Sequence, residues 1–309
     1  MFRMGVVLVP EDLKWSGWKK TFGPVFKCLN LHGSTAKLVE YVKTKKWKDL
    51  LRLLERRDVD VEYIIHICSD FVPRSLFGKN PELFRMDGEG RRTPNANFCP
   101  SSPDVIGVID ISLTKYLKSF KPTTGRYHFL PDDSQPWCSC PRCRRFSVSD
   151  QQLMFSNILA KLLRQRDDAA RIMYCSYKPA HGTPQVKAEP NVFLGYAPIE
   201  RNYRIAFADR RSPVNASLSG EFPDLMKHFG ERDSEVFEYW LDVSRFSNWK
   251  RPACRINVPN RVIQSDLRFY SSAGFENISV LGVWLDKTYV KTYDDAPLRN
   301  FIEVLSTAR

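Results

Sequence analysis

Asp132 and Asp133 stand side by side in the stretch YHFLPDDSQPWCSCPRC, which runs from Tyr127 to Cys143. Adjacent carboxylates repel each other unless a ligand, a proton or a cation is shared between them, so this pair is a candidate for chemistry. Two carboxyls held close together supply one acid and one anion near neutral pH. Cleavage of a glycosidic bond needs that combination: an acid protonates the leaving oxygen and an anion stabilises the positive charge that develops. Two schemes are open. In one, partners on different strands stand about 5–5.5 Å apart, which pairs Asp133 with Glu238. In the other, the sugar's own acetamido group is the nucleophile and neighbouring carboxylates suffice, Asp132 orienting the amide while Asp133 protonates.

Three of the eight cysteines follow within six residues, as Cys138, Cys140 and Cys143. Thiols so close can share one Zn²⁺, with Cys99 or a histidine such as His128 as the fourth ligand. Such an ion would be structural, rigidifying the loop that carries Asp132 and Asp133 into the cysteine-rich stretch 134–146; packed, reduced thiols and a redox role are the alternatives. The acid–base schemes themselves need no cofactor. Cys28, Cys68, Cys99, Cys175 and Cys254 are scattered among apolar residues and read as small buried hydrophobes. A disulfide framework is not expected in a chain that looks cytosolic.

These groups need a frame. Eight short apolar runs recur along the chain, at 5–9, 28–33, 61–67, 125–130, 171–177, 191–197, 235–243 and 278–286. Helical patterns lie between many of them. One over 35–57 carries Leu38, Val42, Leu50 and Leu53, and another over 103–120 opens on a Ser cap followed by Pro. A third follows Ser149, with Gln152 completing a capping box and a stripe of Phe155, Ile158, Leu159, Leu162 and Leu163 behind it. A fourth fits 260–273. Strands alternating with helices predict a parallel sheet, and eight of them predict a (β/α)8 TIM barrel, a single domain over residues 1–309. Only about 18 residues join the first two strands, so an irregular first crossover is expected. A doubly wound open sheet is the competing fold, but no glycine-rich phosphate turn follows the first strand. The long loops 74–101 and 198–233 both follow strands, where a barrel builds its active face.

Polar residues late in buried strands need a reason. Period-two alternation groups Glu62, His66 and Asp70, then Glu238, Trp240 and Asp242, then Gly282, Trp284 and Asp286, while the second strand ends at His32. Each has a structural alternative: His66 as a hydrogen-bonded core histidine, Glu238 in an ion pair with an arginine inside the barrel, Asp242 and Asp286 as caps. As substrate contacts the candidates are His32, His66, Asp70, Arg74, Tyr196, Arg201, Asp242 and Asp286. Trp15, Trp18, Trp137, Tyr177, Tyr196, Trp240 and Trp284 could offer apolar faces to a pyranose ring, or simply fill the core. Arg74 and Arg201 each fall just past a strand end, where a guanidinium clamps a carboxylate, so an acidic sugar is a fitting substrate. Two other assignments compete: a barrel that binds sugar without turning it over, and an isomerase-like enzyme holding a divalent ion on His32, His66, Asp132 and Asp242.

The net charge of +12 raises the question of nucleic acid. The basic residues are dispersed, as in KTKKWK (43–48) and DRR (209–211), with no helix-turn-helix or RNA-binding signature beside them. A solvated surface, or a basic mouth attracting an anionic substrate, explains them better. No apolar run approaches the roughly 20 residues of a membrane span. The opening MFRMGVVLVPEDLKW is too short in apolar residues for a signal peptide, so the cytoplasm is the expected compartment.

The segments LHG, VEYIIHICSDFVPRSLF, FRMDGEGRR, DDSQPWCSCPRC, SDQQLMFSNILAKLLR, KAEPNVFLGYAPIERNY and EYWLDVSRFSNWKRP resemble a bacterial domain-of-unknown-function family, 4838, over about residues 10–290. That resemblance implies a relative of the glycoside hydrolase barrels. The adjacent aspartates are similar to those of the O-GlcNAc hydrolases and hexosaminidases, which implies that Asp132 polarises an acetamido group and Asp133 is the general acid. Pro131 and the cysteine loop depart from the hexosaminidase pattern.

Overall fold

Eight parallel strands close into a barrel in chain order, the arrangement expected for the TIM fold. They are β1 (Arg3–Leu8), β2 (Cys28–His32), β3 (Asp60–His66), β4 (Arg126–Leu130), β5 (Arg171–Ser176), β6 (Val192–Tyr196), β7 (Glu235–Glu238) and β8 (Asn277–Leu281). The computed structural model describes residues 2–133 and 135–307, so Ser134, at the head of the expected cysteine loop, lies outside the described residues. Strands of a parallel sheet are covered on both faces, which is why they read as continuous apolar runs. β4 and β6 are buried at every position.

β7 and β8 are shorter than their apolar runs. They stop at Glu238 and Leu281, which puts Trp240, Asp242, Trp284 and Asp286 beyond the sheet, where strand alternation no longer governs them. Asp70 likewise leaves the face of β3, because Cys68–Phe71 turns into a short helix.

The chain divides into two compact units. The first comprises Met1–His32, Thr44–Val61 and Leu194–Arg309. Here β1 pairs with β2 from Gly5↔Cys28 to Leu8↔Leu31, and with β8 from Arg3↔Asn277 to Val7↔Leu281. Gly5 is dictated by close approach: a Cβ there would stand 2.6 Å from the Ser279 hydroxyl, which accepts a 3.1 Å bond from Asn30 Nδ2. The first crossover is irregular, a 3-10 turn at Asp12–Lys14 followed by the five-residue helix Gly17–Thr21. Its Trp18 is fully buried and donates from Nε1 to the Leu285 carbonyl at 3.0 Å. The loop 198–233 carries helices of its own, Pro213–Ser219 and Phe222–Phe229.

The second unit comprises Gly33–Lys43 and Glu62–Phe193. β4 is its centre, pairing with β3 (Ile64↔His128 to His66↔Leu130) and with β5 (Arg126↔Arg171, Tyr127↔Ile172). The helix expected after Ser149 begins two residues earlier, as Val148–Arg164. Ser147 is its cap and Asp150 the reciprocal partner, because the shorter acidic side chain reaches back to the Ser147 N–H at 3.1 Å. Leu153, Phe155, Leu159, Leu162 and Leu163 then bury one face, each contributing about 1.5–3 kcal/mol.

The helix expected over 35–57 is two helices, Thr35–Val42 and Lys45–Arg56. The break is chemical: the Thr44 hydroxyl accepts from Trp47 N at 3.2 Å and caps a new start. The restart shifts the phase, so Trp47, Leu50 and Leu54 are buried rather than Leu53. Val105–Leu117 replaces the expected 103–120, with Asp104 at its cap position instead of a serine.

Candidate functional site

The end of β4 presents the aspartate pair. Pro131 follows the strand, and its carbonyl accepts from His66 Nδ1 at 2.6 Å, tying the ends of β3 and β4 together. Asp132 is held from several sides. Its Oδ1 accepts from Ser69 N at 3.0 Å and its Oδ2 from the Ser69 hydroxyl. Arg74 Nη2 stands 3.4 Å from the same Oδ2, and the Asp132 N–H donates to Asn97 Oδ1 at 2.9 Å. Asn97 in turn donates from Nδ2 to the Gln135 carbonyl at 3.0 Å. Asp133 is exposed. Both carboxylates open on a cleft of about 640 Å³ lined by Ser69, Arg74, Asn95, Ala96 and Gln135. Arg74 also donates to the Ala96 carbonyl at 2.5 Å, while its buried Nη1 makes no hydrogen bond among the described residues.

Ser69, Asn97 and Gln135 were not singled out in the sequence. A serine beside an acid and amides inside an irregular loop carry no periodic signal. Asn97 had one indirect mark, its place in a loop of unusual length.

Glu238, at the end of β7, has a different environment. Its side chain and that of Arg201 are both 0% exposed, with Arg201 Nη1 2.6 Å from Glu238 Oε1 and 2.7 Å from Asp266 Oδ2. The Tyr270 hydroxyl donates to Glu238 as well. Burial pushes the Glu238 and Asp266 carboxyls up, and the Arg201 charge opposes it. Arg201 thus neutralises two buried acids, and its guanidinium lies 4.9 Å from the Tyr203 and Phe207 rings. Neither Glu238 as a catalytic partner nor Arg201 as a substrate clamp presents an atom to solvent here, because the ion pair is the structural alternative their residue types allowed.

Most other candidates are committed to packing or capping. Asp242 caps the helix Val243–Phe246, accepting from Arg245 N at 3.1 Å and Ser244 Oγ at 2.5 Å. Asp286 caps Lys287–Tyr293 through Tyr289 N at 2.9 Å, and pairs with Arg251 at 2.8 Å. Asp70 accepts from Thr35 Oγ1 at 2.5 Å. Tyr196 is fully buried, donating to the Leu218 carbonyl at 2.9 Å, and burial pushes its hydroxyl pKa up. Trp240 packs on Phe301, and Trp137 packs between Phe98 and Phe155. His32 closes β2 and Tyr177 follows β5, both half-buried.

Trp284 is half-buried in a left-handed backbone conformation (φ +66°), with the Arg251 guanidinium 4.2 Å from its ring. Its N–H donates at 3.1 Å to Asp12, an acid just past β1 that no periodic pattern marks. Burial pushes Asp12 up to about 7, against the opposing bonds from the Val9 and Trp284 amides.

The cysteines gather. Cys99 joins Cys138, Cys140 and Cys143 in a buried cluster whose sulphurs all lie within 4.8 Å of one another, a set that could hold a structural metal ion. Cys99 is therefore not a scattered hydrophobe. His128 is not in this cluster; it is buried 3.6 Å from Glu62.

A model of a domain of unknown function, DUF4838, matches residues 18–298. The chain belongs to this family. Solved structures similar to this DUF4838 chain are barrels. A glycoside hydrolase family 5 enzyme from Prevotella bryantii, in complex with a xyloglucan tetradecasaccharide, is 9% identical with a TM-score of 0.51, over 99% of this chain and 96% of that one. An O-GlcNAc hydrolase from Thermobaculum terrenum is 9% identical with a TM-score of 0.51, over 99% of this chain and 63% of that one. A β-galactosidase from the psychrophilic Marinomonas ef1 is 12% identical with a TM-score of 0.51, over 90% of this chain and 54% of that one. The chain thus spans nearly all of the first and between half and two-thirds of the others. At such identities the likeness is one of fold. No curated protein matches the sequence. Among the described residues, no helix is long and apolar enough to cross a membrane.

Proposed function

We propose that this protein is a glycoside hydrolase acting on a small glycoside or oligosaccharide, with Asp133 as the general acid and Asp132 as the carboxylate that orients the substrate. One observation carries the reading: two neighbouring carboxylates past the end of a barrel strand open on one cleft, one locked and the other exposed. A carboxylate has about four lone-pair sites. Ser69 N, Ser69 Oγ and Arg74 take up three on Asp132, which leaves one for the N–H of an acetamido group. The amide oxygen of the substrate then attacks its own anomeric carbon while Asp133 delivers a proton to the leaving oxygen. Water later opens the cyclised intermediate, with Asp133 taking back the proton. No cofactor enters these steps, and a metal on the four cysteines has a structural part.

The rival scheme with Glu238 as Asp133's partner loses ground, because Glu238 is already bound to Arg201 and Tyr270. Arg74 supports an acidic sugar, since its guanidinium borders the cleft. The positive net charge of the chain fits an anionic substrate. The shared barrel with the O-GlcNAc hydrolase supports the reading at the level of fold.

The test is hydrolysis of a panel of aryl glycosides, N-acetylglucosaminide, glucuronide and neutral hexosides together, by wild type and Asp133→Asn. Turnover of one class that vanishes in the variant is the expected result. Sugar binding without product from the folded wild type would replace this reading with that of a silent carbohydrate-binding barrel.

A further inference from the structure

The cysteine cluster has the dimensions of a metal site. Cys99 Sγ lies 3.6 Å from Cys143 Sγ and 3.8 Å from Cys140 Sγ. A tetrahedral zinc with Zn–S bonds of about 2.3 Å has sulphur–sulphur edges of about 3.8 Å. A disulfide would bring two sulphurs to about 2.05 Å, and all four thiols are free. The surroundings suit thiolates. Cys138 Sγ accepts N–H bonds from Met86 at 3.2 Å and Cys140 at 3.5 Å, and Arg92 Nη1 stands 3.8 Å away. None of the four exceeds 2% exposure, so the site is closed, as structural zinc sites are, with no position left for water.

The position of the cluster in the chain gives it a further consequence. Cys99 is two residues past Asn97, whose side chain receives the Asp132 N–H and donates to Gln135 O. Cys138 is three residues past Gln135, and Ser139 N bonds back to Met86 O at 2.9 Å. Besides Ser69 and Arg74, the cleft has two walls, the segment bearing Asn95 and Ala96 and the segment bearing Asp132, Asp133 and Gln135, and both run into the sulphur cluster.

We propose that Cys99, Cys138, Cys140 and Cys143 hold one Zn²⁺, and that this ion clamps the two walls of the Asp132 cleft. The ion takes no part in chemistry; it is a positioning element. Its effect on turnover rests on the proposed function of the cleft, whereas the clamp itself does not. Four ligands from two segments close a chain loop of about 40 residues, so metal binding supplies ordering that neither irregular segment provides alone.

The test uses the full chain and no substrate. Metal analysis of the purified protein should give one zinc per chain, and replacement by Co²⁺ should give the visible bands of a tetrahedral tetrathiolate. Cys99→Ser should weaken zinc binding at least about 100-fold, whereas Cys254→Ser, outside the cluster, should not. Hydrogen exchange then reads the clamp: removing zinc from wild type should expose the amides of 95–99 and of Asp132, Asp133, Gln135, Trp137 and Cys138 while β4 and β5 stay protected. If Cys99→Ser does not fold, chelation of the wild type carries the test alone. Absence of bound metal, iron in place of zinc, or full affinity in Cys99→Ser would overturn the zinc site. Zinc whose removal leaves those amides unchanged would overturn the clamp. Because none of these readouts passes through hydrolysis, failure of the proposed activity would be seen separately.

Discussion

Two strand ends carry acids that looked alike in the sequence, and their surroundings make them opposites. Past β4, Asp132 and Asp133 face an open cleft, and Asp132 is held by a serine and an arginine that also border it. At the end of β7, Glu238 is sealed with Arg201, Asp266 and Tyr270. An acid that meets its cation inside the core has its charge neutralised and no lone pair turned outward. One whose donors sit at a cleft is oriented and still within reach of a ligand. The comparison teaches that a carboxylate at a barrel strand end is a functional candidate only where its counter-ion leaves it open to a cleft.

Breaking the buried site should have the largest effect. Arg201→Ala leaves Glu238 and Asp266 without their cation and should cost about 3–5 kcal/mol of stability, read by denaturant unfolding. A loss below about 1 kcal/mol would end the distinction between the two sites. Asp133→Asn should do the reverse, lowering turnover of the responsive aryl glycoside about 10²–10⁴-fold with the unfolding midpoint unchanged. Glu238→Gln sharpens the contrast: it should lower the unfolding midpoint and leave kcat per folded molecule within a few-fold of wild type.

Asp12 is the intermediate case, buried like Glu238 but bonded to backbone amides instead of an arginine. Its folded pKa of about 7 lies above the ordinary 3.8, so between those values the folded chain keeps a proton that the unfolded chain has lost. Its contribution is therefore full below about pH 4 and declines as pH rises through 7. Asp12→Asn should flatten that decline, gaining up to about 4 kcal/mol relative to wild type between pH 4 and 8. Parallel stability–pH curves for the two proteins would contradict the burial argument. The smallest effect is far from both sites: Ser147→Ala removes one half of a capping box and should cost about 1 kcal/mol, with glycoside turnover unchanged.

Legibility followed the range of the interactions. The eight strands were readable because burial on both faces writes an apolar run into each of them. The helix Val148–Arg164 was readable from its stripe, while its cap was misplaced by two residues because Ser147 and Ser149 are both good caps and only the Asp150 geometry chooses between them. The break at Thr44 was hidden for a similar reason, since a threonine inside a helical pattern declares itself a cap only when its hydroxyl meets Trp47 N. Asp242 and Asp286 were placed on strands because the apolar runs continued past the last paired residues.

The sequence by itself determined the barrel, the irregular first crossover and the adjacency of Asp132 and Asp133, since these depend on hydrophobic periodicity and on neighbours in the chain. The tertiary structure alone decided that Arg201 belongs to Glu238 and Asp266, that Ser69 and Arg74 belong to Asp132, and that Cys99 completes a cluster with cysteines about 40 positions away. Electrostatic pairing and metal-type geometry act over a few ångströms between residues far apart in sequence, and they come into being only when the packed chain brings those residues together.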